Sequence, residues 1–222
     1  MIDRYSTMYY GILWTPIDLE NPPVPDRKIL DGITDLLEDD YRDCKHIPLM
    51  IKTGQYHDYD KYIYHSNITL MPDLKEWIDN ILIPFLGHKS RMVIIKTPKD
   101  AENKIHIDCT EDAMDLLQHK IRYVMHGKVS DLEFIGENCN IKPAEIDAPF
   151  IMDGSWPHKM KNTSGDTKYT FAVGSPWQPE MTKEYQSFLK RSANKYKCRY
   201  IDKAGIDLPS LEQRRKWWKG FK

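Results

Sequence analysis

The residues best able to do chemistry in this chain are His106-Ile107-Asp108 and His158, with Lys168 ten positions after the second histidine. Two neutral imidazoles and one carboxylate on a single octahedral face are the ligand set of a facial Fe(II) site. Such a site leaves three positions open for co-substrate and oxygen. An isolated H-x-D is weak evidence, because a chain with eight histidines can produce the spacing by chance. Its surroundings strengthen it. Asp153-Gly154-Ser155-Trp156-Pro157 reads as a turn that delivers His158 to the start of a strand, and Lys168 opens the next strand after the turn at 162–166. Hairpin geometry would set Lys168 beside the strand carrying His158, its ammonium aimed inward. A lysine buried there calls for an anion.

These side chains have to be positioned by strands. From residue 91 to 174 the apolar pattern has a period of two, and short segments at 91–97, 104–108, 120–129, 132–135, 146–152, 157–162 and 168–174 are separated by Gly, Asp, Asn or Pro. Seven or eight strands at this spacing favour a barrel or jelly roll over a parallel sheet. Alternation along 104–108 would put His106 and Asp108 on the same face of one strand. Ahead of this region, 8–14 is β-prone and Asn21-Pro22-Pro23-Val24-Pro25 stops it. Asp26 then caps an amphipathic helix reaching about Leu37, and Pro72-Asp73 opens a second that ends near Pro84. Behind it, 180–194 has a helical apolar stripe of Tyr185, Phe188 and Leu189. Ser210 and Gln213 have capping-box spacing at the start of a last helix that carries Trp217 and Trp218.

The expected fold is therefore mainly β with flanking helices, a double-stranded β-helix of the cupin-like jelly-roll type. A catalytic core at 91–178 would be preceded by a strand and helices at 1–90 and followed by a basic helical extension at 179–222, all in one structural domain. A length of 222 residues can bury such a core. A mean hydropathy of -0.62 and the lack of an apolar run of membrane-spanning length argue against a membrane protein. The N-terminus lacks a signal-peptide layout, and Cys44, Cys109, Cys139 and Cys198 form no C-x-x-C pair, so the expected setting is a reducing cytoplasm.

At the residues above, the chain resembles the Fe(II)/2-oxoglutarate-dependent oxygenases, which carry H-x-D/E, a distal His, and an Arg or Lys about ten residues on. The segment 91–178 is most similar to the aspartyl/asparaginyl β-hydroxylase branch, especially in the runs Pro149-Phe-Ile-Met-Asp-Gly-Ser-Trp-Pro-His158 and Phe171-Ala-Val-Gly-Ser-Pro-Trp-Gln-Pro179. The resemblance implies that His106, Asp108 and His158 bind Fe(II) and that Lys168 pairs with the distal carboxylate of 2-oxoglutarate. It also implies that O2 is the second co-substrate and that Arg122 reaches the co-substrate or substrate. Lysine in place of arginine at 168 is more typical of prolyl 4-hydroxylase-like members and gives up the bidentate fork. The presence of Asp108, where halogenating relatives have a small residue, points to hydroxylation. The implied substrate is an amino-acid side chain, free or within a peptide or protein.

Two alternatives stand beside this reading. One is a cupin-like metal enzyme that does not use 2-oxoglutarate. The other is a non-enzymatic binding module built on the C-terminal region, where 178–222 holds twelve Lys/Arg against five Asp/Glu although the whole chain carries -1. A face of this kind could contact nucleic acid, but it more simply solvates the outer side of terminal helices. Tyr123, Trp156 and Tyr169 could shape the cavity or pack the core, and His119 and His126 could touch substrate or serve as hydrogen-bonded core groups. His46, His57, His65 and His88 receive no role.

Overall fold

The computed structural model describes residues 11–37, 44–54, 61–109, 118–128, 132–174 and 182–219. Its centre is a roll of two facing sheets. Four strands, Met92–Thr97 (β4), His119–His126 (β6), Phe150–Asp153 (β9) and Lys168–Val173 (β11), lie side by side in the order β9-β6-β11-β4. Four others, Glu102–His106 (β5), Leu132–Ile135 (β7), Asn140–Ile141 (β8) and His158–Lys161 (β10), form the second sheet in the order β5-β10-β7-β8. Apart from the β7–β8 hairpin, each connection crosses from one sheet to the other. The result is the jelly-roll winding of a double-stranded β-helix, in which every described strand pair is antiparallel.

The first sheet is wider than the roll. Ile12–Pro16 (β1) pairs with β9 and with Ile201–Asp202 (β12), while Lys45–Lys52 (β2) pairs with β4 and with Tyr62–Tyr64 (β3). The sequence reading missed β2 and β3. Pro48 argues against a strand because it has no N–H for the ladder, and here it sits where the β2–β4 register shifts, a bulge that tolerates it.

Strand alternation separates two environments. On β11, Tyr169, Phe171 and Val173 join the main apolar core, while Lys168 and Thr170 face the inside of the roll. On β6, Ile121, Tyr123 and Met125 join that core, while Arg122 and Val124 face inward. Helices cover the outer face. Arg27–Thr34 (α1) is capped by Asp26, whose side chain accepts from the Lys28 N–H at 2.8 Å. Pro72–Trp77 (α2) runs through a π turn, Ile78–Leu82, into Ile83–Leu86 (α3). The run ends at Leu86, two residues past the expected stop near Pro84, and the π turn just before Pro84 is where the continuous helix accommodates a residue without an N–H. Trp77 meets Phe171 edge-on at 6.0 Å between ring centroids. A second apolar cluster, including Trp14, Phe134, Phe150 and Trp156, fills part of the space between the sheets.

Behind the roll, Lys183–Lys195 (α4) is capped by Thr182 and packs on β1, and Leu211–Lys219 (α5) lies against β5. The Gln213 N–H donates to Ser210 Oγ at 3.3 Å, as the capping-box spacing predicts. Among the described residues, no helix is long and apolar enough to cross a membrane. Residues 8–10 of the first β-prone segment lie outside the described residues.

Candidate metal centre

His106 and His158 are directly paired residues of β5 and β10, with ring centroids 4.3 Å apart, and each is 3% exposed. Asp108 is not on the strand, as alternation predicted, because β5 ends at His106. Its backbone N–H instead donates to Gly154 O at 2.7 Å, so the turn before His158 fixes it. The carboxylate faces both rings, with Oδ1 3.6 Å from His106 Nε2 and Oδ2 3.7 Å from His158 Nε2. Among the described residues, these three form the cluster of potential metal donors lying within 4.8 Å of one another.

The second nitrogen of each ring defines the chemistry. His106 Nδ1 is 2.8 Å from Lys104 O, and His158 Nδ1 is 2.8 Å from Trp156 O. A carbonyl can only accept, so each Nδ1 carries a hydrogen, and Nε2 is the atom that each ring turns to Asp108 and could offer to a metal. Burial pushes the Asp108 carboxyl up, but His158, His106 and Arg122 outweigh it and hold it well below the usual carboxylate range. Three electron-pair donors facing one another around a common centre fit a divalent cation. A backbone acceptor behind each imidazole is the usual outer support of a metal-binding histidine.

A pocket of about 710 Å³, counted out to its open mouth, extends from these ligands into the roll. Lys168, 1% exposed, lines it from the sheet opposite His106 and His158. The expected hairpin placement is corrected here, since β10 and β11 belong to different sheets and Lys168 pairs with Thr97 of β4. The loop between them crosses the roll, held by Asn162, whose Nδ2 donates to Thr97 O and Pro98 O at 3.0 Å each. Lys168 therefore faces β10 across the interior, its Nζ 3.1 Å from Met160 Sδ. Gly127 makes this placement possible: it has φ +95°, and a Cβ there would stand 3.1 Å from Lys168 Cγ.

Arg122 reaches the same pocket and holds the metal-side carboxylate, with Nη2 3.2 Å from Asp108 Oδ2. Its Nη1 donates to Ile121 O and Val173 O, which fixes the guanidinium against the sheet. Sequence reasoning missed several lining residues, among them His46, Asn103 and Thr170. Thr170 is the most informative of these. It is 7% exposed, stands two residues after Lys168 on the same face, and its Oγ1 has no hydrogen-bond partner. A buried hydroxyl without a partner costs about 1–3 kcal/mol, so it marks a place where a ligand atom fits.

Tyr123, Trp156 and Tyr169 all belong to apolar clusters and none lines the pocket. His119 is a core group whose Nε2 donates to Ile12 O at 3.0 Å and whose Nδ1 accepts from Tyr185 Oη at 3.1 Å. His126 donates to Pro25 O. Burial pushes the Cys109 thiol up to about 12, which keeps it protonated beside the site.

No protein-family profile and no curated protein matches the sequence. Among solved structures, the chain is similar to an oxidoreductase of the 2OG-Fe(II) oxygenase family from Burkholderia pseudomallei, at 8% identity and a TM-score of 0.43 over 65% of this chain and 74% of that one. It is also similar to a prolyl hydroxylase from Trichoplax adhaerens, solved with a peptide of the hypoxia inducible factor oxygen degradation domain. That match has 12% identity and a TM-score of 0.42 over 67% and 74% of the two chains. A prolyl-4-hydroxylase of Pseudomonas putida matches at 13% identity, with a TM-score of 0.39 over 77% and 95%.

Proposed function

We propose that this protein is an Fe(II)- and 2-oxoglutarate-dependent dioxygenase that hydroxylates an amino-acid side chain, free or within a peptide or protein. One observation carries the reading: a single pocket is lined on one side by the His106–Asp108–His158 donors and on the other by Lys168 and the unpartnered hydroxyl of Thr170. A dicarboxylate co-substrate spanning the pocket would meet a metal at one end and a cation with a hydroxyl at the other. The choice of the aspartyl/asparaginyl branch rests on the sequence resemblance alone.

In this reading His106, Asp108 and His158 hold the iron. Bound Fe(II), with 2-oxoglutarate and O2, supplies the oxidising power that converts a C–H bond to C–OH, the co-substrate leaving as succinate and CO2. The protein's own groups bind, orient and exclude water. Lys168 receives the distal carboxylate, and Thr170 Oγ1 donates to it. Arg122 keeps the Asp108 carboxylate turned toward the histidines. Val124, Leu132, Phe150 and Met152 make the apolar wall that keeps water from the reacting centre.

Lys168→Ala tests the assignment of the co-substrate end. Losing a charged hydrogen bond of about 1.5–3 kcal/mol should weaken 2-oxoglutarate binding by about 10- to 100-fold, read by calorimetry with Mn(II) in place of Fe(II). Unchanged 2-oxoglutarate binding in that variant would overturn the assignment of Lys168, and no 2-oxoglutarate binding by the parent chain would sink the dioxygenase reading and favour a metal enzyme of another kind.

A further inference from the structure

We propose that the C-terminal segment running from β12 through α5 positions the metal ligands, with Lys203 and Trp218 as its positioning residues. The inference rests on the metal-centre reading above. Lys203 directly follows β12, and its N–H donates to Gly11 O at 2.9 Å. Its side chain is 0% exposed; Nζ lies 2.5 Å from Asp153 Oδ2 and 5.6 Å from the centre of the Trp156 ring. The other oxygen of Asp153 accepts from Gln118 N at 2.9 Å, Ser155 N at 3.0 Å and Ser155 Oγ at 2.7 Å. The pair thus fixes the Gly154–Trp156 turn from behind.

That turn touches two ligands. Gly154 O accepts the Asp108 N–H at 2.7 Å, and Trp156 O accepts from His158 Nδ1 at 2.8 Å. The first contact places the carboxylate; the second sets the ring's orientation and tautomer. From the other side, Trp218 Nε1 of α5 donates to Cys109 O at 3.0 Å, one residue beyond Asp108. Both ligand-bearing loops are therefore held by the same terminal segment, outside the pocket. An ion pair withdrawn from water contributes little net stability compared with apolar residues of the same volume. What the Lys203–Asp153 pair supplies here is a fixed turn.

The test uses the full chain with Co(II), an oxygen-stable stand-in with a visible spectrum that reports ligand geometry. Lys203→Met keeps the aliphatic stem and removes the charge; Trp218→Phe keeps the packing and removes the donor. Thermal melting establishes that each variant is folded. Loss of such outer support should raise the Co(II) dissociation constant about 10- to 100-fold for Lys203→Met, with a shifted visible spectrum, and by less for Trp218→Phe. Folded variants with Co(II) affinity within about twofold of the parent and superimposable spectra would overturn the proposal. If Lys203→Met does not fold, Trp218→Phe decides by the same readout. Failure of the parent chain to bind Co(II) would overturn the metal-centre reading and this inference with it. Tight binding by the parent and unchanged binding by the variants would overturn this inference alone.

Discussion

At the scale of single residues, the site works through atoms whose partners are fixed in advance. Each imidazole gives its Nδ1 hydrogen to a backbone carbonyl, which fixes the ring's orientation with Nε2 turned to Asp108 as the atom that would coordinate a metal. Thr170 shows the converse, a hydroxyl kept without a partner inside the protein. Thr170→Val should therefore leave the melting temperature unchanged or raise it, since no protein hydrogen bond is lost. It should still weaken 2-oxoglutarate binding by about 10-fold, the worth of one hydrogen bond to a charged group. Calorimetry and a thermal melt on the same preparation check both halves, and a lower melting temperature with unchanged binding would contradict the assignment. His106, Asp108, His158 and Lys168 could be singled out in the sequence because H-x-D, a distal histidine and a lysine ten residues on occur together among strand and turn signals. Thr170 and His46 were not, because their place in the pocket comes from the fold rather than from spacing.

At the scale of elements, the roll turns a period of two into two chemistries, with core on one face of β6 and β11 and pocket on the other. That alternation was readable. What was not readable is where strands stop and which sheet each joins. Asp108 lies two residues past the end of β5 and depends on Gly154 O, and Lys168 crosses to the opposite sheet from His158. Both outcomes come from long-range pairing that no local pattern encodes. Pro48 hid β2 for a similar reason, since the bulge that accommodates it needs β4 as a neighbour. Gly127 joins element to site. Gly127→Ala combines a left-handed φ with a 3.1 Å approach to Lys168 Cγ, so it should cost about 1–2 kcal/mol of stability. By displacing Lys168 it should also reduce 2-oxoglutarate affinity. Urea unfolding followed by a binding titration measures both, and a variant as stable and as tight-binding as the parent would refute the placement.

At the scale of the whole molecule, terminal segments lock the roll. His119 on β6 ties β1 to α4 through Ile12 O and Tyr185 Oη, and burial pushes its pKa down from 6.5 to about 4. The unfolded chain therefore takes up a proton between about pH 6.5 and 4 that the folded chain refuses, and stability falls as pH drops through this window. The full effect is on the order of 3 kcal/mol, complete below both values. His119→Gln, which can keep both hydrogen bonds, should remove about 2 kcal/mol of the stability lost between pH 7 and 4.5, read by urea unfolding at each pH; an unchanged pH dependence would show that His119 is not the group responsible. Most basic residues of the C-terminal region, among them Lys183, Lys190, Arg191, Lys195, Arg215 and Lys216, are exposed, as expected of the outer side of terminal helices. Lys203 and Arg214 differ in being buried, and Trp218 docks beside the ligand loop, so these three residues serve the roll. Their charge was legible, but their burial was not, because it follows from docking against the roll. Binding of one metal and one 2-oxoglutarate in a shared pocket is read by anaerobic titration of the full chain with Fe(II) and then 2-oxoglutarate while recording the visible spectrum. A metal-to-ligand charge-transfer band should appear only with both components and be lost in His158→Ala; no band in the parent chain under saturating Fe(II) and 2-oxoglutarate would contradict a shared site.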